Sequence, residues 1–273
     1  MTPQPAIPNV LGANILLQGP PGSGKTYALR TIVEAGYDLR YLPIEPNFEE
    51  LIALRDVKYN YVRPGVAGWD DLIVSAKLIN TQSNEALQKM HGVQRSAFAQ
   101  FIEMLNLCND FIDIRTGKHY GDISTWDNDV VFVIDGLTGI SKLSRTLAVG
   151  SKPIMTQPDW GVAMDNITRF LDKVCYDTKC HFVLIAHVEP EKDEVSGLVK
   201  NMVSTLGRKL APTIPVPFQD VILARREGNQ FYWSTIDSRS DLKKGHLEFS
   251  DKLAPSFVPL FAQWRKMAEA ATL

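Results

Sequence analysis

Gly19-Pro20-Pro21-Gly22-Ser23-Gly24-Lys25-Thr26 fits the phosphate-binding pattern G-x-x-x-x-G-K-[ST]. The short apolar run Ala13-Asn14-Ile15-Leu16-Leu17 precedes it, and Tyr27-Ala28-Leu29-Arg30-Thr31-Ile32-Val33 follows with apolar residues at helical spacing. Strand, loop and helix in that order is the context the chemistry needs. Glycines let consecutive backbone N–H groups converge on a phosphate, and the helix directs its partly positive N-terminus at the same point. Lys25 then reaches the β- and γ-phosphates, and the Thr26 hydroxyl holds Mg²⁺. The competing reading, a Gly/Pro-rich turn with an incidental lysine, is disfavoured by the flanking strand and helix.

At 273 residues with 45% hydrophobic side chains, the chain is long enough to bury a sizeable core. A formal net charge of −2 excludes a globally basic nucleic-acid binder, so any such contact needs a local patch or an assembly of subunits. Three cysteines are too few and too uneven for a disulfide framework and point to a reducing compartment. No apolar run is long enough to span a bilayer, and the first twelve residues lack a basic start and a long apolar core, so the expected location is the cytoplasm, with no membrane partner. Cys175, Cys180 and His181 lack a second ligand pair and read as buried groups rather than a zinc site.

Outward from the phosphate loop, residues 1–12 carry three prolines and read as an extended arm available to a neighbour. Residues 13–254 are expected to form the catalytic domain and 255–273 a C-terminal helix. Leu39 to Glu45 reads as a second strand ending at an acid, although Pro43 cannot donate to a central ladder. A short helix over 47–56, a short strand over 59–62, a helix over 69–80 and a long one over 86–111 follow from periodicity. Residues 118–129 read as a loop. Val130-Val131-Phe132-Val133-Ile134-Asp135 and His181-Phe182-Val183-Leu184-Ile185-Ala186-His187 are continuous apolar runs, the pattern of parallel strands buried on both faces. Between them 159–177 is an amphipathic helix. Residues 188–206 read as a polar, mobile loop, 207–212 as a short helix, and 220–226 with 231–236 as an antiparallel hairpin.

Phosphoryl transfer needs a cradle, a metal, an oriented water and neutralisation of developing charge. Asp135, at a buried strand end, fits the acid that helps hold Mg²⁺; an aspartate capping a strand-to-helix turn is the alternative. Glu45 could polarise the attacking water, or be a solvated loop acid. His187 reads equally as a γ-phosphate sensor and as an edge histidine. The expected nucleotide-binding set is Gly19, Pro20, Pro21, Gly22, Ser23, Gly24, Lys25, Thr26 and Tyr27 with His187. Without a guanine-reading N-K-x-D, ATP is the expected nucleotide, although that absence excludes only the commonest G-protein solution.

The order phosphate loop, Glu45, Asp135, His187, polar loop and late hairpin resembles the RecA-like ATPase core. More narrowly, Val133-Ile134-Asp135-Gly136-Leu137-Thr138, the Asp159-Trp160 helix and Leu184-Ile185-Ala186-His187 look like phage-borne RecA-like nucleotide-binding proteins, some of which act as single-strand annealing proteins. The resemblance covers residues 13–244. It implies an α/β fold, a mostly parallel sheet flanked by helices with an antiparallel hairpin on its C-terminal side. It also implies a homo-oligomer, ring or filament, that binds ATP between subunits and acts on single-stranded DNA in recombination or annealing, with a single-strand-binding protein as a further partner. In such assemblies cations just after the late hairpin complete the neighbour's site. Asp237 stands where a cation is expected, which leaves Arg239 as the trans-acting candidate, with Lys243 and Lys244 close behind.

A DNA surface would come from Lys192, Lys200, Arg208 and Lys209, but Glu189, Glu191, Asp193 and Glu194 share that segment and no aromatic interleaves them over 188–206. A phosphate-loop ATPase that switches a protein partner without touching DNA is therefore the alternative. A small-molecule kinase would need an arginine-rich lid, and after Asp135 only Lys142 and Arg145 stand near.

Overall fold

A computed structural model describes residues 3–44, 54, 57–63, 69–90, 98–150, 152, 154–192, 197 and 199–272, and everything but the side chain of Asp71 within them. Nine strands are described: β1 (Asn14–Gln18), β2 (Asp38–Pro43), β3 (Lys58–Tyr59), β4 (Val130–Asp135), β5 (His181–Ala186), β6 (Val188–Lys192), β7 (Val199–Val203), β8 (Asp220–Glu227) and β9 (Gln230–Ser234). The described helices are α1 (Lys25–Ala28), α2 (Arg30–Glu34), α3 (Trp69–Thr81), α4 (Asn84–Lys89), α5 (Gln100–Asn109), α6 (Leu137–Val149), α7 (Gln157–Tyr176), α8 (Gly207–Leu210) and α9 (Val258–Ala271).

The main sheet has the order β3-β2-β4-β5-β1-β8-β9, parallel throughout except for the β8–β9 hairpin. This is the α/β architecture expected above, a mostly parallel sheet with an antiparallel hairpin on its C-terminal side, and β5 is inserted between the phosphate-loop strand and the Asp135 strand. Alternate side chains of each central strand feed two cores. Leu16, Leu42, Phe132, Ile134, Phe182 and Leu184 face α5, α6 and α7, while Ile15, Leu17, Tyr41, Val133, Val183 and Ile185 face Leu29, Ile32 and α9. Helices on both faces explain why these strands read as unbroken apolar runs.

Register aligns the strand ends. Pro43 pairs with Asp135, Asp135 with Ile185, and Gln18 with Ala186, so the residues following β1, β2, β4 and β5 meet along one edge. Pro43 is tolerated because it is the last residue of its strand, where its carbonyl still accepts from Val62 N–H at 3.3 Å.

Three expectations are corrected, and one helix is added. The N-terminal arm is tied to its own chain: the Asn128 side chain accepts from Ile7 N–H (2.7 Å) and donates to the carbonyls of Ile7 (2.8 Å) and Val10 (2.7 Å). The helix expected over 86–111 ends at Lys89, where Met90 turns extended, and helix is described again only from Gln100. The segment 188–206 holds an antiparallel hairpin, β6 with β7, because Val188, Pro190 and Lys192 find partners in Val203, Asn201 and Val199. The added helix is α6: its hydroxyl-bearing face hides the periodicity, yet Ser144 is buried and donates to the Ala163 carbonyl at 2.8 Å. The helix expected over 47–56 falls almost wholly outside the described residues.

Helix α7 begins with a capping box. Asp159 accepts from the Thr156 hydroxyl (2.7 Å) and backbone N–H (2.8 Å) and pairs with Lys152 at 2.9 Å. These bonds, the Thr156 hydroxyl first, hold its carboxyl down to about 2 from an ordinary 3.8. A depressed carboxylate stabilises the fold above its unfolded value and loses that contribution as pH falls from about 4 toward about 2. Asp159→Asn is therefore expected to cost on the order of 1 kcal/mol near neutrality. In urea titrations the gap from wild type should close progressively below about pH 4; a gap independent of pH contradicts this.

Candidate functional site

The aligned strand ends open into a cavity of about 630 Å³, within the range of small-molecule sites, about 300–1,000 Å³. Residues 21–27 of the phosphate loop form one wall, and Tyr41, Asp135 and His187 contribute from β2, β4 and the end of β5. Gly24 adopts φ +80°, and a Cβ there would stand 2.9 Å from the Phe231 ring, so a side chain at this position would be strained and would clash with β9. Gly136, just after Asp135, adopts φ +118° and passes so close to the Ile44 carbonyl that a Cβ would lie 2.9 Å from it.

Lys25 is buried, and its ammonium donates to the carbonyls of Gly19 (2.9 Å) and Pro20 (2.8 Å), with Ser23 Oγ at 3.4 Å and His187 Nδ1 at 3.5 Å. A lysine held by loop carbonyls is a cation stored at the mouth of an anion cradle, and a phosphate oxygen is a stronger acceptor than those neutral carbonyls. Thr26 lies 109 residues from Asp135 in sequence, yet its hydroxyl donates to Asp135 Oδ2 at 2.8 Å. Tyr41, buried beneath the loop, donates its hydroxyl to the same oxygen at 3.0 Å. Burial pushes the Asp135 carboxyl above the ordinary carboxylate value, against the pull of the Thr26 and Tyr41 hydroxyls, Lys25 and His187. Burial thus disfavours the very charge that a divalent cation would compensate.

These residues fit Mg²⁺. The single hydrogen of the Thr26 hydroxyl is directed at Asp135, which leaves its lone pairs for a cation. Among the described residues no group of three or more His, Cys, Asp or Glu could hold a metal alone, and Mg²⁺ is a cation usually bound by one or two protein oxygens together with substrate phosphates.

The sequence-predicted residues divide clearly. Lys25, Thr26, Asp135 and His187 converge, and residues 21–27 line the cavity with them. Glu45 lies outside the described residues. Arg239 is exposed on the segment after β9 and does not line the cavity of its own chain. Asp237 is ion-paired with Arg225 at 3.0 Å and accepts from Ser240 at 2.6 Å, so the acid found where a cation was expected pins the loop that carries Arg239. Lys142 and Arg145 are exposed on α6 and do not line the cavity.

No protein-family model matches the chain, and no curated protein does. Among solved structures, the assembled ATPase EscN from the enteropathogenic E. coli type III secretion system is similar at 13% identity with a TM-score of 0.37. The match covers 83% of this chain and 48% of that one, so the chain spans about half the length of that protein. A likeness so distant fixes neither activity nor partner.

Three residues of the site escaped sequence reasoning. Tyr41 is one of several alternating side chains in β2, and only the β2–β4 register brings its hydroxyl to Asp135. Arg30 stacks on the Tyr27 ring, 3.7 Å from its centroid, a contact their i,i+3 spacing could have suggested. Phe231 reaches the loop from β9 and carries no local signal. The three cysteines are buried, and burial pushes each thiol up to about 12, which makes them inert core groups. Among the described residues no helix is long and apolar enough to cross a membrane.

Proposed function

We propose that the chain is a Mg²⁺-dependent ATPase that couples its nucleotide state to the β6–β7 hairpin. The observation that carries this reading is the contact between Thr26 and Asp135 at 2.8 Å beside a buried Lys25. Backbone N–H groups of residues 22–26 would hold the β- and γ-phosphates, Lys25 would exchange its loop carbonyls for phosphate oxygens, and Thr26 with Asp135 would hold Mg²⁺. Bound there, Mg²⁺ supplies neutralisation of the phosphate charge. Glu45 is proposed as the group that orients the attacking water.

His187 is the proposed sensor. Its carbonyl accepts from Ser204 N–H at 2.8 Å, and Thr138, which lines the cavity, donates its hydroxyl to the Ser204 carbonyl at 3.4 Å. Both strands of the hairpin are therefore anchored next to the phosphate site. Its far side donates Asn201 N–H to the Arg239 carbonyl at 2.7 Å. We read Arg239 as a cation for a neighbouring subunit's site in a homo-oligomer, and single-stranded DNA as the substrate on which the assembly acts in recombination or annealing, with a single-strand-binding protein as a further partner.

A second reading, a switch for a protein partner without DNA contact, is favoured by one observation. Arg208 pairs with Glu191 at 2.8 Å and Lys200 approaches Asp241 at 3.9 Å, so two of the four cations expected to meet DNA face acids.

Phosphate release measured with and without single-stranded DNA decides between them. Stimulation by DNA, together with recovery of activity when inactive Arg239→Ala is mixed with inactive Lys25→Ala, is the expected result. No DNA binding in a gel shift at low salt, where phosphate contacts are strongest, overturns the DNA reading and leaves the protein switch. Absence of recovery on mixing removes Arg239 from action in trans.

A further inference from the structure

Two hydroxyls converge on one oxygen of Asp135. Thr26 reaches Oδ2 from the phosphate loop and Tyr41 reaches it from the neighbouring strand. Thr26 belongs to the recognised phosphate-loop pattern, whereas Tyr41 belongs to no motif. The Tyr41 ring is 1% exposed and packs in the core cluster with Leu29, Ile32 and Val133, so the position of its hydroxyl is set by the core. The register adds to this: Tyr41 pairs with Val133 two residues before Pro43 pairs with Asp135, which puts the two side chains on adjacent strands at the cavity floor.

A carboxylate held by one donor can still rotate about its Cβ–Cγ bond; one held on the same oxygen by donors from two rigid elements cannot do so without breaking both bonds. We infer that Tyr41 is a positioning residue for the metal site, fixing the orientation of the Asp135 carboxylate before Mg²⁺ arrives with its nucleotide. This assignment rests on the ATPase reading. It predicts that the Tyr41 hydroxyl matters to Mg²⁺ capture and not to the metal-free affinity for nucleotide. The phosphate loop alone would provide that affinity.

The test is binding of a fluorescent ATP analogue to the full chain, titrated with Mg²⁺ and independent of turnover. Hydrogen bonds to charged groups are strong enough that Tyr41→Phe is expected to raise the Mg²⁺ concentration for half-maximal tightening about tenfold. Metal-free affinity should stay within about twofold and the melting temperature within a few degrees, since the ring is kept. In an Asp135→Ala background the same substitution should shift nothing further, because the acceptor that the Tyr41 hydroxyl holds is gone. An unchanged Mg²⁺ requirement, or an equal shift in both backgrounds, overturns the assignment. Should Tyr41→Phe not fold, 3-fluorotyrosine at position 41 carries the test: its more acidic hydroxyl is a stronger donor and should lower the Mg²⁺ requirement, and no change counts against the proposal. A wild-type chain without Mg²⁺-dependent nucleotide binding overturns the ATPase reading as well; a responsive wild type with an unresponsive Tyr41→Phe overturns the Tyr41 assignment alone.

Discussion

Lys25→Ala is expected to reduce ATP hydrolysis by on the order of 10³-fold while leaving the fold intact. The ammonium is the one lysine among the cavity-lining residues, and a preorganised donor aimed at developing charge is worth about 10²–10³ in rate even when it is neutral. The fold should tolerate its loss because the Lys25 side chain lines the cavity, where water can take the ammonium's place on the Gly19 and Pro20 carbonyls. Circular dichroism and thermal melting check the fold, and phosphate release checks the activity. Hydrolysis within about tenfold of wild type would show that Lys25 does not meet the transferred phosphate.

Asp135→Asn is the second large effect, and it separates activity from stability. Burial already disfavours the charged carboxyl, so a neutral amide of nearly the same shape relieves a desolvation cost. Its carbonyl can still accept from Thr26 and Tyr41. The variant is therefore expected to melt at or above the wild-type temperature while hydrolysis falls by on the order of 10²-fold or more. Loss of stability would mean that the carboxylate is chiefly a structural strand cap, the alternative that the sequence left open.

The stability gain expected of Asp135→Asn and the activity loss expected of Lys25→Ala come from one arrangement, and the sequence made most of it readable. The phosphate loop has a local pattern because its backbone conformation demands glycine at fixed places. Asp135 and His187 were legible because a strand buried on both faces reads as an apolar run, and the residue that ends the run faces the site. What could not be read depends on register and on distant packing. Tyr41 needs the alignment of β2 with β4, and Phe231 needs β9 to arrive beside Gly24. The β6–β7 hairpin was hidden for another reason. Its charged and polar strands, with Pro190 on one of them, lack the alternation that marks a half-buried strand, and its pairing is held by cross-strand partners and by its anchors at His187 and Arg239. Helix α6 was hidden because its inward face includes Ser141 and Ser144, whose hydroxyls bond to Thr205 at 3.0 Å and to Ala163 at 2.8 Å.

The hairpin also relocates the interest of the molecule. The hairpin is bonded to His187 where it begins and, midway along β7, donates Asn201 N–H to the Arg239 carbonyl, so under the proposed function it would link the sensor to the cation offered to the next subunit. The Asp237–Arg225 pair and the Asn201 side chain, which donates to Ser240 at 3.2 Å, hold that loop in a defined place.

Calorimetric titration of the chain with ATP in the presence of Mg²⁺ tests the central claim most directly. One ATP bound per chain in the wild type, with that binding lost in Lys25→Ala, is the predicted result; no saturable binding, or equal binding in both proteins, would contradict it.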